Sequence, residues 1–395
     1  MPIPRRIPLI LGAIVAAGVV VLGLLAQPAT AQVPSVATRD LIFVGNNFGG
    51  TVTVIDAHTF ARIADINVIP DLQQRLDQMT VAERIGYELV HSQTVDYQYV
   101  DDLAISPDGR TMYVSRSNLA DVVAISLETR QQVWRTKIDG LRSDHVTISP
   151  DGRRLVVSAL TAKKAQILDT ATGQITGSFA TGDYPHENQF SADGRHIYNA
   201  SIGTVPVPDW LEGLKGERKL TVVNASTLEI ERVYSFDHGI RPFVVTPDGK
   251  TMYAQLSFLN GFVEFDMASG KITRTVNMPL SDEAAKMKRE DYPFDSAHHG
   301  LALSGDGTKL CDAGTISDYV AILSRPSLTV DAQFGTGDQP YWAYTSADGT
   351  NCYVSNSLSD TVSIISYGQE REIARIPVGH HPQRIRTGAV PVGIL

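Results

Sequence analysis

The sequence predicts an all-β fold: a seven-bladed β-propeller of four-stranded blades, with the ring closed by a C-terminal strand joining the N-terminal blade. Three observations carry this expectation. A Ser/Thr-x-Asp-Gly turn recurs six times, at residues 106–109, 149–152, 191–194, 246–249, 304–307 and 346–349. Its glycines are 43, 42, 55, 58 and 42 residues apart, the spacing of a blade built from short strands and tight turns. The two ends of the chain supply complementary parts of one further blade. Three strand-like runs cover residues 40–68, and a lone first strand covers 381–388. Joining them removes the open sheet edges that a propeller must avoid.

Each repeat reads alike. A first strand ends at the Asp-Gly turn, where glycine supplies positive φ and aspartate bonds locally. A second strand follows, as in Thr111-Met112-Tyr113-Val114 or Cys352-Tyr353-Val354. A third, more apolar strand comes next, as in Asp121-Val122-Val123-Ala124-Ile125, and then a fourth, outer strand. The chain has 395 residues and 43% hydrophobic content, enough for one continuous core shared by stacked repeats.

The first 31 residues read as a signal peptide. Arg5 and Arg6 precede an apolar stretch, and Ala29-Thr30-Ala31 offers a small-x-small cleavage site before Gln32. The expectation is export (periplasmic, secreted or cell-surface), with residues 32–395 as a single propeller domain. The alternative is an uncleaved membrane anchor, the one contact with a membrane that the sequence allows. Net charge is −9, or about −11 without Arg5 and Arg6, and no basic stripe occurs, so nucleic acid is not an expected partner.

Cys311 and Cys352 occupy second strands of successive repeats, offset by one position relative to their glycines. Alternation points them to opposite faces of their own sheets, so they can meet between blades. An exported chain permits a disulfide. Two small buried thiols are the expected alternative, and the favoured one, because bonding geometry is demanding.

Three stretches interrupt the rhythm, at 70–98, 205–218 and 279–296. The first carries a helical pattern, and the third a charged helical piece from Asp282 to Asp291. The first and third link a fourth strand to the next first strand; the second links a second strand to a third. In an up-and-down blade all three decorate one face, opposite the Asp-Gly turns, and long loops on one face of a rigid scaffold carry function.

Eight of the ten histidines sit before or at the start of a first strand: His91, His145, His186, His238, His298, His299, His380 and His381. First strands line the channel, so these rings are expected at its mouth, under the insertions. Imidazoles beside carboxylates suit metal binding or acid–base work. His145, His186, Glu187 and His299 are the candidate ligands of a divalent metal. His299 and His186 are the candidate catalytic groups. Arg241, Tyr341, Trp342, Asp102 and His381 are the candidate substrate contacts, with Arg241 as an anion clamp. Asp101, Asp144 and Arg384 belong to the same group. Trp210 is an exposed contact in the second insertion.

The run Tyr353-Val354-Ser355-Asn356-Ser357-Leu358-Ser359-Asp360-Thr361-Val362-Ser363-Ile364-Ile365, with Gly337-Asp338-Gln339-Pro340 upstream, resembles the YVTN-type propeller repeat. That family includes surface-layer-like proteins and the large or β subunits of periplasmic amine dehydrogenases. The resemblance spans nearly all of residues 40–388 and implies the fold, while its scaffold hosts binders, lyases, lactonases and dehydrogenase subunits. The sequence lacks a Gly-x-Ser-x-Gly elbow, a Cys-x-x-Cys-His haem site, a phosphate loop and tandem Gly-Trp quinone motifs. The functional expectation is a His-rich pocket that binds a small molecule and acts on it as a metal-assisted lyase or hydrolase. The alternatives are a non-catalytic platform for a partner protein or cell-surface polymer, and the heavy subunit of an amine-dehydrogenase-like oxidoreductase.

Overall fold

The computed structural model describes residues 37–395. The expected signal peptide lies outside the described residues. In all six Asp-Gly turns the Ser or Thr hydroxyl lies 2.5–2.6 Å from the aspartate Oδ1. That oxygen also accepts the amide two residues on, and each glycine adopts a φ of 65–75°. A side chain therefore replaces the strand ladder at the bend, and glycine removes the Cβ penalty.

These turns join the first and second strands of six blades. Seven four-stranded antiparallel sheets result. The seventh, blade 1, is the composite one: Pro382–Pro391 pairs with Thr38–Asn46, followed by Thr51–Asp56 and Arg62–Asn67. The other first strands are Asp102–Ile105, Ser143–Ile148, Pro185–Phe190, Ile240–Val245, Leu301–Leu303 and Pro340–Thr345 (blades 2–7). Each touches the first strand of the next blade, so the seven enclose an axis.

The core lies between blades rather than in one centre. Among the described residues seven of the eight buried apolar clusters lie one to each neighbouring pair of blades, and the eighth, with Ala284, Ala297 and Ile316, sits at the third insertion. Middle strands are covered on both faces, as in Leu155, Val156 and Val157, all fully buried. Outer strands alternate, as in Arg371–Pro377. Cys311 and Cys352 form a disulfide between blades 6 and 7, with Cα atoms 6.5 Å apart. This corrects the expectation of two free thiols. The offset turned the two side chains toward one gap, and face-to-face packing of the sheets closed it.

The three insertions border one cavity, through Gln93, Val205 and Phe294 respectively, and so share a face. The first forms α1 (Leu72–Gln78) and α2 (Val81–His91), the latter closed by a Thr80–Glu83 capping box. The charged helical piece expected at 282–291 does not form an α-helix. Isolated 3₁₀ turns replace it, Ala284–Lys286 and Arg289–Asp291, with extended Met287 and Lys288 around the break. Only Ala284 of these turns is buried, and a helix that short without an apolar face to pack is marginal in water. No helix among the described residues is long and apolar enough to cross a membrane.

Candidate functional site

Strict alternation would send neighbouring residues of a first strand to opposite faces. The first strands of blades 1, 3, 4, 5 and 7 carry a register shift instead. A bulge there lets two consecutive side chains face the axis. Asp144 and His145 both reach His186, and His186 and Glu187 both reach His145. Five irregular strands can thus each bring one more side chain to the channel.

A cavity of about 60 Å³ opens beneath the insertions. Asp101, Asp144, Arg142, His186, Arg241 and Arg384 supply its charged and titratable wall. His186 Nδ1 lies 2.9 Å from Asp144 Oδ1. Burial, reinforced by Arg384 and Arg241, holds the His186 ring well below its ordinary pKa. The neutral ring donates Nδ1–H to Asp144 and leaves Nε2 as a lone pair, which finds no hydrogen-bond partner although buried. Asp101 is pushed up to about 7 by burial, with Asp144 adding to the rise and Arg142 and Arg384 opposing it.

Below this layer His145, Glu187 and Arg384 are buried. His145 Nδ1 lies 2.5 Å from Glu187 Oε2, and Arg384 Nη2 donates to His145 Nε2. An arginine only donates, so His145 carries its proton on Nδ1 and gives it to Glu187. Burial first, with Arg384 and His186 adding to it, keeps His145 well below its usual pKa; burial pushes Glu187 up to about 8. Arg384 and Arg386 lie over Trp342, at 4.2 and 5.2 Å from its ring centroid. Arg386 donates to Asp102 at 2.7 Å. Beyond them the channel widens into a funnel of about 780 Å³ on the Asp-Gly face, with Glu187, Trp342 and Arg386 in its wall.

The expected residues sort by depth. His186, Arg241 and Tyr341 line the cavity. His299 stands beside them, its ring 5.8 Å from His186 and stacked at 4.1 Å on Tyr341. Its Nδ1 donates to the Tyr341 carbonyl at 2.9 Å. His145, Glu187, Asp102 and Trp342 form the deeper layer. His298 is a structural plug, held by Asp312, Asn260 and Tyr319. His91 closes α2 and stacks on Tyr97, away from any first strand.

His381 stands apart from the cavity wall. It shares its left-handed backbone with Tyr184 and Gln339, at φ 57°, 53° and 53°. Each of the three precedes a proline, Pro382, Pro185 or Pro340. The prolines set the register, so Gln383 and Arg384 match His186 and Glu187, two and three places on. The His381 ring instead stacks on Phe48 at 3.7 Å. Arg142 and Arg386 were not singled out in the sequence, although Arg384-Ile385-Arg386 carries the alternation of a strand whose charges face inward.

His381 has a testable titration. Burial, with His380 adding and Asp360 and Asp96 opposing, lowers its pKa to about 4. The unfolded ring titrates near 6.5, so only the unfolded state gains a proton between those values. Its contribution is complete above about pH 6.5 and is lost as pH falls toward 4, by up to about 3 kcal/mol. His381→Asn, which tolerates positive φ, is expected to flatten the acid limb of stability from urea unfolding at stepped pH. An unchanged limb rejects the assignment.

Asp144, His145 and His186 offer one ligand atom each within 4.8 Å of one another, a set that suits a divalent metal. Glu187 and His299, expected as further ligands, are placed otherwise: Glu187 holds the outer nitrogen of His145, and His299 is turned to Tyr341.

No protein-family model and no curated protein matches the chain. Solved structures do. Kuenenia stuttgartiensis hydrazine synthase superposes with a TM-score of 0.62 at 20% identity, over 82% of this chain and 91% of that one. The dihydro-heme d1 dehydrogenase NirN, in complex with DHE, superposes with a TM-score of 0.58 at 13% identity, over 88% and 74%. The likeness is one of fold. Function has to be argued from the side chains described above.

Proposed function

We propose that this is an exported propeller of YVTN type that binds a small molecule in the cavity under the insertions and acts on it as a lyase or hydrolase. The observation that carries the reading is the buried, unpartnered Nε2 of His186, a residue of the cavity lining, while Asp144 holds the opposite nitrogen. A neutral imidazole fixed in this tautomer is a general base. It takes a proton from a substrate carbon in elimination, or from water in hydrolysis, and returns it to the departing group. Tyr341, whose phenol burial pushes up to about 12, stays a neutral donor beside it.

His186→Asn is expected to lower turnover about 10²–10⁴-fold on whichever ester, lactone or β-elimination substrate a screen of the full chain identifies. Asp144→Asn, which disturbs the tautomer, should lower it less. Turnover within twofold of wild type in His186→Asn would reject the base.

The metal-assisted form of the reaction rests on the Asp144, His145 and His186 donors. A divalent ion there would polarise a substrate oxygen or a water. Arg384 stands at His145 Nε2 and has to move for that ligation. A stoichiometric metal in the purified chain, lost in His145→Ala, supports this form. The platform reading draws on exposed apolar residues of the insertions: Trp210 is 81% exposed, and Val81 and Ile85 stand out from α2. The oxidoreductase-subunit reading draws on the YVTN-type resemblance alone.

A further inference from the structure

Arg241 and Arg384 both line the cavity, and neither is more than 2% exposed; the Arg384 guanidinium lies at its inner end, over Trp342 and against His145. Arg241 donates from Nε to Ser257 Oγ at 3.0 Å, and its Nη2 has no hydrogen-bond partner. The nearest carboxylate, Asp295, stands 3.8 Å from that nitrogen, too far for a hydrogen bond. Arg384 uses Nη2 on His145, while its Nε and Nη1 are unpartnered. Three buried charged nitrogens therefore lack an acceptor. Leaving one such donor unsatisfied is costly, and three on two residues that line one cavity favour an anionic ligand there.

Arg142, Arg241 and Arg384 line the cavity with Asp101 and Asp144, while Asp295, which Arg241 shares with Lys215, stands just outside the lining. Ile202, Val205, Pro206 and Phe294 form an apolar part of the lining. That part offers no side-chain donors to a second charged end. The cavity is small, about 60 Å³. A phosphate would set its oxygens against the apolar part of the lining, where a short carbon chain fits.

We infer that the ligand of this cavity is a small monocarboxylate with a short apolar end, its carboxylate held by Arg241 and Arg384 and its carbon end against Ile202, Pro206 and Phe294. This deepens the reading of His186 as a base and rests on the same cavity. The planar fork of arginine matches a carboxylate in two-point contact. Held there, the acid lies in the cavity that His186 also lines.

The test is calorimetry on the full chain with acetate, propionate, lactate and pyruvate, with propionamide and inorganic phosphate as controls. At least one carboxylate is expected to bind, with propionamide at least tenfold weaker. Arg384→Gln and Arg241→Gln should each weaken binding about 10–100-fold, and Arg384→Lys should recover only part of it. Circular dichroism confirms that each variant is folded; if Arg384→Gln is not, Arg241→Gln and Arg384→Lys carry the test. The inference falls if no carboxylate binds, if phosphate binds as tightly as the best acid, or if the folded variants stay within twofold of wild type. Its failure is separable from that of the catalytic reading. His186→Asn leaves carboxylate affinity within about threefold if both hold, while retained turnover in that variant removes the base and leaves the anion site standing.

Discussion

Arg116→Met is expected to lower the stability of the chain by about 3–5 kcal/mol, read from the midpoint of urea unfolding. Arg116 is fully buried. Its Nε and Nη2 donate to the two oxygens of Asp121, at 2.7 and 2.9 Å. Nη2 also reaches Asp71 at 3.2 Å, and Nη1 donates to the Val68 carbonyl and to Asp71. Arg75 of α1 adds a second cation on Asp121 at 3.2 Å. Burial alone would push Asp71 up, yet the Arg116 contact outweighs it and leaves the carboxyl below its ordinary range. Removing the guanidinium strands Asp121 in the interior with one partner. It also frees Val68 and Asp71, where the chain leaves blade 1 for α1, so faster proteolysis within 70–98 should accompany the loss. Arg62→Met is the control: its pair with Asp65 is largely exposed, and little change is expected. Equal effects of the two changes would refute the network.

The second large effect concerns the link between blades 6 and 7. Replacing Cys311 and Cys352 together by alanine is expected to cost about 3–4 kcal/mol, the loop-closure value for a bridge across 41 residues. Thermal melting checks it. Wild type with a thiol reductant and unfolding agent should fall to the level of the double variant, while the double variant should ignore the reductant. A double variant as stable as the oxidised chain rejects a structural role for the bridge.

The parts legible in the sequence were those fixed by local chemistry. An Asp-Gly turn is encoded by four residues, so six of them gave the blade count, and the split seventh blade followed from the leftover strands. Insertion placement followed from strand parity alone. His145, His186 and His299 were placed together correctly because each opens a repeat, and repeats are equivalent by rotation. What resisted reading was geometry that no single repeat contains. The bulges at Ser143/Val146 and Pro185/Asn188 turn adjacent residues the same way, against the period-2 rule. His381 was aligned by residue type, whereas Pro382 sets the register and assigns the axial position to Arg384. Arg142 lies just before its strand, and its role appears only when Asp101 of the neighbouring blade stands beside it. The disulfide depended on how two sheets stack, and the 282–291 piece on whether anything apolar would cover it.

Blade 1 takes its inner strand from one end of the chain and its remaining strands from the other, with Thr38 directly opposite Pro391. The first and last strands among the described residues therefore meet inside one sheet. Joining Pro391 to Thr38 by a short linker and opening the chain at the turn around Gly368, where an added Cβ would meet nothing, is expected to preserve every sheet register. The molecule is in this sense a circular permutation of itself, and its arginines and histidines hold their places around the axis wherever the chain begins.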